Sequence, residues 1–79
     1  MGPIKRSVTI AGHETSISLE PIFWEGLIEA ARGLDLPLNA LIARIDAQRI
    51  EATQPPNLAS ALRVWLYARA RGSANQPKS

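Results

Sequence analysis

A mainly helical chain with a short N-terminal β element is the fold class this sequence predicts, and three observations carry it. The stretch "TSISL" (Thr15 to Leu19) alternates apolar and polar residues, the period of a half-buried strand. Directly behind it, "PIFWEGLIEAARGL" opens on a proline and repeats its apolar residues at helical spacing. Two further helical patterns follow, separated by the stiff break "TQPPN" (Thr53 to Asn57).

The elements follow in order. Residues 1–6 read as a flexible basic arm carrying Lys5 and Arg6. "SVTI" (Ser7 to Ile10) is rich in β-branched residues, and Gly12 in "AGHE" marks a turn, so a hairpin with the next strand is one option. In that next strand Thr15, Ile17 and Leu19 share one face, and Glu14, Ser16, Ser18 and Glu20 the other. The first helix starts at Pro21, where the missing N–H has no helical partner to lose, and runs to about Leu34. Phe23, Leu27, Ala30, Ala31 and Leu34 form its apolar stripe, widened by Trp24 and Ile28. Asp35 and Pro37 stop it, because a residue before proline avoids the helical region. The second helix runs from Leu38 to about Glu51, with Leu38, Leu41, Ile42, Ile45 and Gln48 or Arg49 marking its inner face; Asp46 and Arg49 are also spaced to pair on its surface. Asn57 is a good N-cap for a third helix over 58–71, whose inner face holds Leu58, Ala61, Leu62, Trp65 and Leu66. The division expected is therefore an arm at 1–6, a domain at 7–71 and a disordered tail at 72–79.

Length and charge narrow the function classes. A chain of 79 residues buries only about 60% of its unfolded surface and usually needs a staple. It has no cysteine and one histidine, so no disulfide, metal site or cofactor is expected and oligomerisation is the favoured remedy. The formal net charge is +2, with a negative balance over residues 14–35 and positive charge toward both ends. That pattern permits contact with a polyanion. No apolar run approaches a membrane span and the start lacks a secretory h-region, which predicts a cytoplasmic protein with no membrane partner. No Gly-rich phosphate loop, nucleophile motif or His–carboxylate group is present, so no catalytic residue is assigned and an enzyme is not expected.

A strand followed by two tightly linked helices makes sense if the strand pairs with its own copy across a two-fold axis. Ile17, Leu19, Phe23, Leu41 and Ile45 would then close a core between the copies. The segment "TSISLEPIFWEGLIEAARGLDLPLNALIARID" resembles the ribbon-helix-helix family of bacterial and phage repressors. "KRSVTIAGH" before it and "NLASALRVWL" after it resemble a small bacterial branch of that family, so the likeness covers roughly residues 5–67. The strand–proline–helix join and "LNALI" after the turn are its most specific parts.

The resemblance implies an intertwined homodimer with an intermolecular antiparallel ribbon, here with an extra C-terminal helix. It implies a sequence-specific binder of double-stranded DNA, a transcriptional repressor whose ribbon enters the major groove. Base contacts would fall to Ser16 and Ser18 with Glu14 and Glu20 at the rims, and phosphate contacts to Leu38 and Asn39 at the helix start, with Lys5 and Arg6 adding grip. Without the resemblance, the two serines read equally as a solvated strand face. Three positions depart from the family pattern. Glu14 stands where many relatives carry a basic residue, Pro37 where a serine cap is common, and Asp35 where the turn is usually glycine. A second reading makes the dimer an antitoxin-like adaptor or interaction module, with the C-terminal helix and its Trp65 and Tyr67 docking a protein partner.

Overall fold

A computed structural model describes residues 2–75, with side chains described up to Gly72. The element order is β1 (Ile4–Ile10), β2 (His13–Leu19), α1 (Pro21–Gly33), α2 (Leu38–Arg49) and α3 (Leu58–Asn75).

Of the partners open to β2, the structure shows the one within its own chain. β1 and β2 form an antiparallel hairpin within one chain, in register from Ile4 opposite Leu19 to Ile10 opposite His13. The two-residue loop explains why. Ala11 and Gly12 have φ of 52° and 82°, and two successive positive φ values define the tight turn whose twist suits a hairpin. β1 also starts earlier than "SVTI", so Ile4, Lys5 and Arg6 belong to the strand and not to a flexible arm. A seven-residue β2 needs all seven residues of β1 to complete the ladder. The far end is fastened as well: the Trp24 indole N–H donates to the Ile4 carbonyl at 2.9 Å.

Pro21 sits at the start of α1 as its chemistry dictates, and Arg32 lies in the last turn, near the negative helix end. The α1–α2 turn is a Schellman cap: Leu36 N–H donates to the Ala31 carbonyl at 2.8 Å and Asp35 N–H to that of Arg32 at 3.1 Å. Asp35 adopts φ 58° there, the left-handed conformation the motif requires. α2 begins behind Pro37 with no side-chain cap. α3 is capped by Asn57, whose Oδ1 accepts from Ser60 N–H at 2.8 Å. It continues to Asn75, so residues 72–75 are helical, and the rest of the expected tail lies outside the described residues.

The core gathers one face of each element. Val8, Ile17 and Leu19 come from the hairpin, Trp24, Leu27, Ala30 and Ala31 from α1, Leu41, Ile42 and Ile45 from α2, and Leu62 from α3. Leu19, Leu27, Leu41, Ile42 and Leu62 are fully buried, each worth about 1.5–3 kcal/mol against exposure. β1 packs on α2 and β2 on α3, so the third helix covers its own chain. Ile17, Leu19, Leu41 and Ile45, expected to close a core between two copies, are thus covered within one chain, and Phe23 is partly covered. Val8 of the hairpin and Leu62 of α3 supply part of that cover.

Candidate nucleic-acid interface

The hairpin register decides what its solvent face presents. Residues directly opposite in an antiparallel pair point to the same side. Ile4 with Leu19, Arg6 with Ile17, Val8 with Thr15 and Ile10 with His13 therefore face the helices. Lys5 with Ser18, Ser7 with Ser16 and Thr9 with Glu14 face away. The outer face is entirely polar: four hydroxyls between an ammonium at the open end and a carboxylate at the turn end. Five of these six residues are exposed and Ser18 is half-buried.

Ser16, Ser18 and Glu14 are brought together on that face, and Lys5 joins them. Arg6 does not. It lies on the inner side, its guanidinium 5.1 Å from the Trp24 ring centre, a cation–π contact worth about 0.5–1 kcal/mol. Ser7 and Thr9 belong to the same outer face and were missed by sequence reasoning. The alternation of "SVTI" carried the signal, but their placement beside Ser16 and Glu14 depends on the register.

The start of α2 has a different make-up. Leu38 is half-buried against the core, so its side chain is not available, while Asn39 is exposed. Leu41 N–H is the first to be bonded, to the Pro37 carbonyl at 3.1 Å. The backbone N–H groups of Leu38, Asn39 and Ala40 have no carbonyl one turn back and sit at the positive helix end.

Two ion pairs hold the frame behind this face. Arg63 of α3 grips Glu20 at the β2–α1 junction, with Nε to Oε1 at 3.0 Å and Nη2 to Oε2 at 3.3 Å, and lies 5.6 Å from the Phe23 ring centre. Its own backbone N–H and the Arg63 guanidinium hold the Glu20 carboxyl below its usual pKa. Arg49 of α2 pairs with Asp46 at 2.8 Å and reaches the Pro56 carbonyl at 2.9 Å, which steadies the α2–α3 link.

Between α1 and α3 runs an open, mostly apolar groove of about 520 Å³, lined by Ile22, Phe23, Leu66 and Tyr67 among others. Trp65 is half-buried with Arg69 stacked on its ring at 5.6 Å. Among the described residues there is no group of three metal-ligating side chains, and no helix is long and apolar enough to cross a membrane.

A polar two-stranded ribbon backed by a tightly turned helix pair is the architecture of small domains that present a ribbon to nucleic acid. The ribbon-helix-helix domain family matches residues 3–70, and the chain belongs to that family. Its members are, in general, DNA-binding regulators that typically dimerise. No curated protein and no solved structure gives a significant match to the chain.

Proposed function

We propose that this protein is a sequence-specific DNA-binding transcriptional repressor that works as a homodimer in a bacterial cytoplasm. The observation that carries the reading is the outer face of the hairpin, polar throughout and rich in hydroxyls, in a chain of this family. The β2 strands of the two copies, paired at the centre of the dimer's sheet, present Ser16 and Ser18 to the major groove, which is about 12 Å wide. Ser16 and Ser18 read base edges, with Glu14 at the rim. A serine hydroxyl donates or accepts, while a carboxylate accepts only, which suits a cytosine amino group. Asn39 and the free N–H groups at the start of α2 take phosphate. Lys5 and Arg6 add positive charge at the open end of the ribbon.

The second copy joins along the free edge of β2. In a hairpin with a two-residue loop, the antiparallel alternation leaves the backbone groups of Glu14, Ser16 and Ser18 aimed at that edge. Unpaired strand edges are ready templates for another strand.

Fluorescence anisotropy tests the reading. The protein is titrated against a labelled duplex from its own upstream region and against a scrambled duplex, over a salt series. The expected result is a preference of at least about a thousandfold that survives physiological salt. Equal binding to both duplexes that vanishes with salt overturns it.

The α1–α3 groove favours a second reading, an antitoxin-like adaptor that docks a protein through α3. Ile22 and Tyr67 at its walls are 72% and 64% exposed. Capture of a specific partner that Tyr67→Ala abolishes, with no specific DNA binding, is the outcome that favours it.

A further inference from the structure

The third helix carries an inference that rests on the homodimer reading above. We infer that the copy paired along β2 also seats in the groove between α1 and α3, so that α3 forms half of the homodimer interface, with Phe23 and Tyr67 as its apolar anchors.

Three observations lead there. First, the groove is continuous with the free strand edge. β2 packs on α3, so a copy laid along the outer edge of β2 meets α3 beneath it. The groove opens at Ile22 and Phe23, directly after the end of β2 at Leu19, where Arg63 pins α3 to Glu20. From there α1 and α3 run side by side in the same direction. The Leu66 methyl carbons lie 3.5 Å from where a β-carbon on Gly26 would stand, and Arg69 Nη2 lies 3.8 Å from that point on Gly33. At 1.5 Å per residue, the stretch of α1 from Phe23 to Gly33 is about 15 Å long. Second, the strand edge cannot supply an apolar centre. A stable interface buries roughly 1,200–2,000 Å² in total, and its centre is apolar. β2 has no such surface left to give: Ile17 and Leu19 are buried in their own chain, and Glu14, Ser16 and Ser18 are polar. Third, the groove is self-complementary. Its floor holds the small residues Gly26, Ala30 and Ala70, and its walls carry Ile22 and Tyr67, both mostly exposed. A two-fold contact needs projections and hollows on the same patch, and this patch has both. Glu29 and Arg69 also line it, one acid and one base, neither held in an ion pair among the described residues.

The assignment divides the work along α3. Leu62 fills the core of its own chain, while Leu66 and Tyr67, one turn further on, face the copy. Phe23 is covered from two sides. The Arg63 guanidinium lies 5.6 Å from its ring centre within the chain, and the copy closes the part left open. Backbone pairing along β2 sets register and direction, and the groove adds apolar area. The groove takes one occupant at a time, so a protein docked on Tyr67 and a second copy exclude each other.

Sedimentation equilibrium of the full chain tests this, with thermal melts in parallel. The groove variant is Ile22→Glu with Tyr67→Glu. The control is Ile50→Glu with Val64→Glu: Ile50 lies just past α2, and Val64 lines the hollow on the α2 side of α3. These four side chains are 59–72% exposed in the single chain, so melts of the dilute monomer should match the parent within a few degrees. The parent should dimerise. The groove variant should weaken dimerisation about a hundredfold or more, because each substitution enters a two-fold interface twice. The control should stay within about threefold of the parent. A groove variant that dimerises like the parent, or a control that dissociates as far as the groove variant, overturns the inference while the homodimer reading stands. A groove variant that stays dimeric but loses a protein partner bound by the parent gives the groove to that partner and overturns it as well. A parent that is monomeric at every concentration overturns the homodimer reading and this inference with it.

Discussion

Ala11 occupies the least comfortable backbone position in the ribbon. Its φ of 52° places a β-carbon in the left-handed region, which costs an L-residue roughly 1–2 kcal/mol. Gly12 beside it takes φ 82° without that cost. Asparagine tolerates the left-handed region better, and Asn-Gly is the pair that two-residue hairpins favour. Ala11→Asn is therefore expected to stabilise the fold by about 0.5–1 kcal/mol. For a domain of this size that raises Tm by roughly 2–8 °C, read by circular dichroism. A lowered Tm would mean that the turn is not the one described. Asp35 holds the other left-handed position, at φ 58°, and needs no such help because the Schellman bonds around it fix the turn. At this scale the sequence was legible where a side chain's role is local. Asn57 as the α3 cap and the Asp46–Arg49 pair follow from spacing alone. Arg6 was not legible: the ring it covers lies eighteen positions further on, and nothing near Arg6 announces it.

Among the elements, α3 is fastened to the ribbon end of the molecule through one ion pair. Glu20 closes β2 and opens α1, and Arg63 reaches it from the second turn of α3. The carboxyl is held below its ordinary pKa, so the pair's contribution has a definite sign with pH. It is full above the unfolded glutamate's pKa, about 4.3, and is lost as pH falls through the lower folded value. Melts of the parent and Glu20→Gln should differ at neutral pH and converge in acid. In an Arg63→Met background the Glu20 substitution should have lost most of its effect at any pH. A difference that persists in acid places the origin elsewhere. The helices were legible because apolar spacing is a local signal, and each starts where proline, turn or cap residues put it. The first strand was only half legible. "PIKR" shows no alternation, and its strand state is imposed by β2 across the turn and by Trp24 at the end. The outer face divided in the same way: Ser16 and Ser18 follow from the period of two, while Ser7 and Thr9 require the register.

For the whole molecule, a core of eleven apolar residues is buried within one chain, while Ile4, Ile22, Ile50, Val64 and Tyr67 stay exposed. Five side chains from the hairpin, α1, α2 and α3 have no exposed surface left, and no buried polar side-chain atom among the described residues lacks a partner. An obligate dimer has no stable folded monomer, so its Tm rises with concentration. Here Tm is expected to fall on dilution only until the dimer has dissociated and then to level off at a cooperative monomer transition, because self-association adds to a fold that one chain can form. A Tm that falls steadily on dilution would show that the fold depends on a second copy. The hairpin and α3 contribute Val8, Ile17, Leu19 and Leu62 to the core, which a bare strand and two helices would have lacked in part.

The strict alternation of the hairpin has a consequence for how such a protein changes over generations. Every residue on its outer face is flanked by residues that face the helices, and no outer residue contributes to the core. Lys5, Ser7, Thr9, Glu14, Ser16 and Ser18 can drift with little penalty in folding, since surface substitutions away from special features usually stay within about 0.5 kcal/mol. On the DNA-binding function proposed above, recognition and stability are written on opposite sides of the same fourteen strand residues. A duplicated gene could acquire a new target by altering the outer side alone, and the scaffold it inherits would need no repair.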